Sequence, residues 1–586
     1  MRYRVVDDMG LRTRYRLQNA TIKNQCAIDF DVVDIRHRFP EGGEYTMCSF
    51  FIVNIKNCGY VRINSYFYKK LIGTIMKRYF NHFLFAIVMV AVAVTSCTNN
   101  PSDEYYKSIP DEFDAMCMRA INEWKVPGMA VAVVKDGEVV FMKGYGKAHL
   151  GDSLNAAVDV TPQTKFVIAS TSKAFTSGLL ANVMDEYPEI KWNAPVINYL
   201  PDFKMYDSWV TKNFQVREIM SHHSGFNSYA LDDLPPWGYN RDDLYKIYSV
   251  LRPTYSFRTK YAYNNSMYTI AAKIIEKYTG KSWDDALIER IFTPLEMKNS
   301  TTGNISFYTA ENLAQGYRMR KAEDKDEIVV VPRTDKEDAF AWLSAVAPAG
   351  FVISTVEDMA NWVKMHLDHG TFNGKEIISR KNHDMLFYPQ TITGSDSTRL
   401  TNYAQGWTVE YGLQGRYIRH TGLAYGYTAL VGMVPDLDLG FVFLTNNGSS
   451  SDPQSALGRD LIELYRGNAN PTHFDEYFAE YKEGLFSKDE DEEKEETTPV
   501  APLSNKAYVG NYTLEPFGTA KVYEKDGTLY FNLRKVDSPL THKNGNVFTF
   551  FAKGSGTFDL TFTVKGNKAQ SLTFDINDPV GEFVRK

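Results

Sequence analysis

Hydrophobic and polar positions recur with different periods along this chain, and the changes of period mark its parts. Phe113, Met116, Ala120, Ile121 and Trp124 fall at helical spacing, so the pattern predicts a helix whose buried face takes Cys117. A second helical pattern, Ala174 to Met184, is entered from the polar segment 163–169. A third, Thr269 to Tyr278, is amphipathic and is closed by Thr279-Gly280, a C-terminal stop. Two apolar runs, 426–435 and 440–446, are split by Asp436-Leu437-Asp438 and read as antiparallel strands of a core sheet. Beyond residue 503 the period becomes two. Segments 508–512, 520–523, 528–533, 547–550 and 560–564 are strand-like, with Lys525-Asp526-Gly527 as a hairpin turn.

Between the mixed region and the β-rich end lies a like-charge block, Ser487 to Glu496, followed by Thr497-Thr498-Pro499. Such runs are solvated connections, which places a charged linker at 471–502, between a domain at 110–470 and a smaller one at 503–586. A chain of 586 residues has core material for more than one domain, and a formal net charge of -6 gives no electrostatic case for nucleic acid.

The start of the chain carries a different signal. Met76-Lys77-Arg78 precedes an unbroken apolar run from Phe83 to Val94, then Thr95-Ser96-Cys97. A basic start, a short apolar core and small residues predict a secretory signal peptide at 76–97. The run is short of the ~20 apolar residues of a transmembrane helix. Val94-Thr95-Ser96-Cys97 resembles a bacterial lipobox, which implies cleavage before Cys97 and lipid on its sulfur and amine. The expected address is extracytoplasmic, anchored by acyl chains to a bacterial membrane. Residues 98–109 read as a polar tether. Residues 1–75 show no clean periodicity, and are expected to be an upstream translation artefact or a disordered extension. Of the five Cys, the mature chain then holds Cys97 and Cys117, too few for a disulfide framework.

Ser170-Thr171-Ser172-Lys173 is the one Ser-x-x-Lys in the chain. A serine on the first turn of a helix sits beside unsatisfied backbone N–H groups, and a lysine one turn later shares its face. A desolvated lysine amine can take the serine proton. Tyr263 and Asn265, one residue apart before a helix, can aim into one cleft. A phenol near a lysine is expected to have a lowered pKa, and an amide can hold a carbonyl. In Arg419-His420-Thr421-Gly422-Leu423, a glycine on an edge strand allows close approach, and a free N–H beside it can face an oxyanion. His222-His223-Ser224 reads as turn-stabilising, because no spacing fits a zinc site.

In that order, Ser170-x-x-Lys173, Tyr263-x-Asn265 and His420-Thr421-Gly422 resemble the serine β-lactamase and penicillin-binding-protein superfamily, in its class C, DD-peptidase and esterase branch. Residues 126–138 look like its first hairpin, and 219–226, 291–297 and 349–355 are also similar. The resemblance covers 110–470. It implies an α/β (α+β) fold: a central antiparallel sheet flanked by helices, a helical subdomain carrying Tyr263, and a separate small C-terminal β-barrel. It implies Ser170 as acylated nucleophile, Lys173 as proton acceptor or relay, and Tyr263 as general base. Asn265, His420, Thr421 and Gly422 would bind substrate, and the N–H groups of Ser170 and Leu423 would form the oxyanion hole. No metal or cofactor is implied. His420 stands where efficient β-lactamases carry Lys, and a neutral imidazole holds a carboxylate less well. The implied function is a membrane-anchored serine hydrolase of D-amino-acid-containing peptides or small esters. A β-lactamase, or a silent sensor binding a β-lactam or cell-wall peptide, is the alternative.

Overall fold

The computed structural model describes residues 103–153, 156–303, 307, 309–322, 327–334, 336–486 and 500–586, with the backbone of strand segments between 20 and 66. Two units separate, 1–106 and 107–586. Within the first, Ala27–His37, Thr46–Ile55 and Gly59–Tyr66 pair in antiparallel succession, with Ala20–Thr21 at the edge. The sequence reading found no period there; runs such as 50–53 are apolar on both faces and hide the alternation. The apolar run 83–94 and Cys97 lie outside the described residues. No helix among those described is long and apolar enough to cross a membrane.

The second unit is built on a nine-stranded antiparallel sheet. Its strands are β1 (Gly128–Lys135), β2 (Glu138–His149), β3 (Val158–Asp159), β4 (Thr391–Ser395), β5 (Arg399–Tyr403), β6 (Thr408–Gly412), β7 (Gly415–Ala424), β8 (Tyr427–Val434) and β9 (Leu439–Thr445). They lie in the order β4-β5-β6-β7-β8-β9-β1-β2-β3. Every residue of β8 and β9 is buried. A sheet covered on both faces has this continuous apolar signature instead of clean alternation. Phe443 meets Phe113 of helix α1 (Asp103–Asn122), ring centroids 6.0 Å apart. On the opposite face, a Cβ added at Gly440 would lie 2.2 Å from Val363 of helix α5 (Val356–Leu367), so only glycine lets α5 approach so closely. Helix α6 (Asp452–Tyr465) covers β8.

Helix α2 (Ser172–Glu186) is buried on nearly every side, as befits a helix between layers. It packs on α3 (Tyr268–Thr279) of the helical subdomain, on the helical turn Ala347–Gly350 that follows α4 (Lys336–Ala345), and on α5 through Phe175 and Trp362, stacked at 4.1 Å. Two boundaries differ from the sequence reading. The 98–109 tether is already helical from Asp103; Ser108 donates to Glu112 along the exposed face, a polar pattern that hid the helix. The 471–502 linker contains α7 (His473–Phe486). Phe474, Phe478 and Tyr481 of α7 pack on Trp124, at 6.0, 5.0 and 5.2 Å, and Asp460 accepts the N–H groups of His473 and Phe474. The whole like-charge block, 487–496, and residues 497–499 after it lie outside the described residues.

Residues 510–585 form a nearly closed, barrel-like antiparallel sheet. Tyr508, Tyr512, Phe531, Phe550, Phe562 and Phe574 fill its interior. It docks on residues 227–254 of the helical subdomain. Buried Asp578 accepts the Asn227 N–H on both oxygens (3.0 and 2.8 Å) and the Thr254 N–H and hydroxyl (3.0 and 2.6 Å). Trp237 donates to Ser555, which donates to the Asp233 carbonyl, and Tyr239 donates to the Phe517 carbonyl.

Candidate active site

Ser170 sits where the chain leaves a short strand, Phe166–Val167, and turns into α2 through a 3₁₀ turn, Ala169–Thr171. Ala169 holds a φ of 49°, in the left-handed region that costs a residue with a Cβ. That turn presents the Ser170 hydroxyl toward the junction of sheet and helical subdomain.

Lys173 follows one helical turn later and is fully buried. Its Nζ lies 3.1 Å from Ser170 Oγ, 2.6 Å from Asn265 Oδ1 and 3.0 Å from the Ala349 carbonyl oxygen. The last two are acceptors and nothing else. A neutral amine satisfies both with its two hydrogens and leaves its lone pair for the serine proton. Burial lowers the Lys173 pKa to about 7, against an opposing pull from the Asp232 carboxylate. The site therefore holds an amine that is substantially unprotonated at neutral pH.

The loop carrying Tyr263 and Asn265 is fixed from behind by His222. The His222 carbonyl accepts the Ala262 N–H at 2.8 Å, and its Nδ1 accepts the Asn264 N–H at 3.0 Å. Tyr229 N–H donates to the Tyr263 carbonyl at 2.7 Å. The Tyr263 ring lies under Lys173, its centroid 4.6 Å from Nζ, and its hydroxyl approaches Ser170 without closing a bond of ordinary geometry. Burial pushes the Tyr263 pKa well above the ordinary phenol range, and the Ser170 contact offsets this only in part. The expected lowering is reversed: Tyr261, Tyr268 and Tyr229 crowd the ring, and the lysine beside it is itself short of charge. At neutral pH the Tyr263 phenol therefore keeps its proton.

β6 leaves β7 at the Thr408–Arg419 pair, so residues 420–424 run on beyond it with their outer edge toward the Ser170 turn. A Cβ added at Gly422 would lie 2.3 Å from the Ile168 carbonyl oxygen and 3.0 Å from Ser170 N. Any side chain there would push the strand off the nucleophile. Leu423 follows, its side chain half-exposed. Ser170, Lys173, Tyr263, Asn265 and the 420–423 strand thus converge on one place. Cys97 lies outside the described residues.

His420 is turned away from open solvent. Its Nδ1 lies 2.6 Å from the Thr421 carbonyl, which can only accept, so Nδ1 carries the proton and Nε2 accepts from Tyr403 Oη at 2.7 Å. Burial, reinforced by Lys173, pushes its pKa down to about 3. His420 is neutral, and both ring nitrogens are engaged.

Sequence reasoning missed Asp232. Its Oδ2 accepts from Asn265 Nδ2 at 2.6 Å, while Oδ1 is sealed from solvent and finds no partner among the described residues; the Trp342 indole approaches without closing a bond of ordinary geometry. The one signal was an acidic pair, Asp232-Asp233, inside the apolar stretch 230–237. Tyr403 and the Ala349 carbonyl were likewise out of reach: Ala349 lies 176 residues from Lys173, and Tyr403 reaches His420 from a strand two places away in the sheet, pairings that only the fold makes.

Comparisons with known proteins agree with this geometry. The sequence model of a family described as Beta-lactamase matches residues 115–464, and one described as a domain of unknown function (DUF3471) matches 492–583. "Unguisins hydrolase ungD'" of Aspergillus campestris (strain IBT 28561) is 28% identical over 396 residues, covering 66% of this chain and 69% of that protein. "Penicillin-binding protein 4" of Amycolatopsis lactamdurans is 28% identical over 377 residues, covering 62% of this chain and 91% of that protein. The solved structure of the octameric penicillin-binding protein homologue from Pyrococcus abyssi superposes with a TM-score of 0.51 at 20% identity, covering 80% of this chain and 99% of that one, a likeness of fold.

Proposed function

The chain belongs to the beta-lactamase family and is a serine hydrolase; on that premise we propose that it forms an acyl-enzyme at Ser170 on D-amino-acid-containing peptides or small esters. The observation that carries this is the Lys173 amine, held by two obligate acceptors with its third direction on Ser170 Oγ at 3.1 Å. Lys173 takes the Ser170 proton as Oγ bonds to the substrate carbonyl carbon. The carbonyl oxygen becomes an oxyanion facing the N–H groups of Ser170 and Leu423. As the intermediate collapses, the bond to the leaving group breaks and Tyr263 passes it a proton, recovered from Lys173. Water then attacks the ester, gives up a proton to the same pair, and releases the acid and Ser170.

His420 sharpens the substrate reading. Neutral and doubly engaged, it offers no cation to a substrate carboxylate. This favours uncharged leaving groups, in esters or internal peptide bonds, over β-lactams and carboxylate-terminated peptides. We place the enzyme outside the cytoplasm, held to a bacterial membrane by lipid on Cys97, because the segment 76–97 has the composition of a lipoprotein signal.

Intact-mass measurement after incubation with a fluorescent penicillin, with Ser170→Ala as control, separates the readings, alongside a screen of D-alanyl peptides and p-nitrophenyl esters. We expect ester or internal-amide turnover that needs Ser170. Rapid penicillin turnover would point to a lactamase, and a persistent adduct without any turnover to a sensor.

A further inference from the structure

We propose that Asp232 is a positioning residue for acylation, fixing the amide of Asn265 and setting the proton balance of Lys173 from behind it. The inference rests on the serine hydrolase reading above and adds a residue to it. Asn265 has two ends that differ chemically. Its Nδ2 donates to Asp232 Oδ2 at 2.6 Å and its Oδ1 accepts from Lys173 at 2.6 Å. Ionised Asp232 accepts and does not donate, so it disfavours the flipped amide, which would set the amide oxygen against a carboxylate oxygen and an N–H against Lys173. The lysine thereby keeps an obligate acceptor, and its lone pair stays on Ser170. Asn265 transmits what Asp232 fixes; Asp232 itself touches neither the serine nor the lysine through any hydrogen bond described.

The placement of Asp232 is over-determined in a way that a packing residue does not require. Tyr229 and Leu231, just before it, have φ of 61° and 69°, a strained turn that persists only where its surroundings enforce it. Those surroundings are the C-terminal barrel on one side and the Tyr263 loop on the other. Asp578 holds Asn227, Ser555 holds the Asp233 carbonyl, and the Ala230 carbonyl accepts the Ser266 hydroxyl at 3.0 Å. The barrel, whose family carries no assigned function, thus grips both flanks of the residue that orients Asn265.

Charge adds a second effect. The groups facing this pair are Asp233 beside Asp232, His222 and His420 beside Lys173, and the rings of Tyr263 and Tyr268. Both histidines are held neutral by burial, and Asp233 is itself pushed up to about 6. Ionised Asp232 favours the ammonium form of Lys173, so removing that charge lowers the lysine pKa further.

The test uses the full chain and two variants. Asp232→Asn keeps the shape and an acceptor but removes the charge; the acid limb of kcat/KM should move down by roughly one pH unit. Asp232→Ala also frees the Asn265 amide, and the plateau should fall about tenfold or more. An unshifted acid limb in Asp232→Asn overturns the proposal whatever the plateau does, and an unchanged plateau in Asp232→Ala overturns the orienting role. Thermal unfolding identifies any variant that fails to fold. A readout independent of turnover is the Lys173 pKa by carbon-13 NMR of labelled lysine, expected lower in Asp232→Asn. If wild type shows no Ser170-dependent acylation, the hydrolase reading fails alone, since the NMR titration still decides whether Asp232 governs Lys173.

Discussion

Two carboxylates, Asp232 and Asp578, lie against opposite ends of one loop, and they are treated in opposite ways. Asp578 uses both oxygens, accepting from Asn227 and Thr254. Among the described residues Asp232 has one hydrogen bond, from Asn265, and one sealed oxygen without a partner. A folding protein has every reason to satisfy a buried carboxylate, because each unmet acceptor costs about 1–3 kcal/mol. Asp578 follows that rule and joins two domains. Asp232 breaks it beside the one lysine that must give up its charge. Satisfied polar networks hold shape; incompletely satisfied ones keep a group ready to change protonation state.

The largest effect that can break this contrast falls on the reactive side. Lys173→Met should lower kcat/KM by about a thousandfold or more, as loss of a residue acting as a unit with its nucleophile does. The fold should survive, because the variant no longer buries an ionisable amine. In wild type, kcat/KM should fall as pH drops below about 7, where Lys173 becomes protonated and its lone pair is lost. A variant retaining most of its activity would move Lys173 to the structural side.

Next comes the satisfied partner. Asp578→Ala strands three donors between barrel and helical subdomain and should cost about 3 kcal/mol by denaturant unfolding. The acid limb of activity should stay near pH 7, because Asp578 does not face Lys173. A moved limb with intact stability would reverse the roles assigned to the two carboxylates.

A smaller effect separates them by pH. Burial raises the Asp232 pKa to about 7, so between about 4 and 7 the folded state keeps a proton that the unfolded chain has released, and stability falls as pH rises. Lys173 is depressed to about 7, so above that pH the unfolded chain holds the extra proton, and stability rises with pH. The pair costs most near pH 7. Thermal unfolding of Lys173→Met/Asp232→Asn against wild type should differ most in the variant's favour there, with the gain shrinking toward pH 4 and pH 10. A difference that is flat with pH would mean the pair carries no unusual protonation.

Much of this site was legible in the sequence, for reasons that differ residue by residue. Ser170 and Lys173 are one turn apart, so helix geometry alone pairs them. Tyr263 and Asn265 are bound to one loop, and Gly422 announces a close approach. The strands β8 and β9 follow from two apolar runs and an Asp-Leu-Asp turn. Asp232 was not legible because its partner lies 33 positions away and its loop takes its shape from contacts with Asp578, 346 positions beyond it in the numbering that only folding brings together. Tyr263's raised pKa was missed for a related reason: the spacing shows a lysine nearby, but not the ring of tyrosines that excludes water. Helix α1 was read short, because its polar first turns precede the buried stripe of Phe113 and Cys117, and α7 was missed, because Phe474 and Phe478 are spaced among the charges of what read as a linker.

The smallest expected effect tests whether the barrel's grip is concentrated at Asp578 or spread over its contacts. Arg534 of the barrel reaches Asp243 of the helical subdomain at 3.2 Å and covers the Tyr239 ring at 4.4 Å from the centroid. The guanidinium is a third exposed, so water and salt screen the ion pair, and pairs of this kind contribute about 0.2–1 kcal/mol. The stacked Tyr239 adds a contact of comparable size at most. Arg534→Ala should therefore shift unfolding by about 1 kcal/mol or less, with the loss reduced at high salt and with kcat/KM unaltered. Against the larger loss expected for Asp578→Ala, this outcome locates the interdomain hold in the buried carboxylate. Equal losses for the two variants would mean that docking depends on the interface as a whole, and that Asp578 is one contact among many instead of the latch.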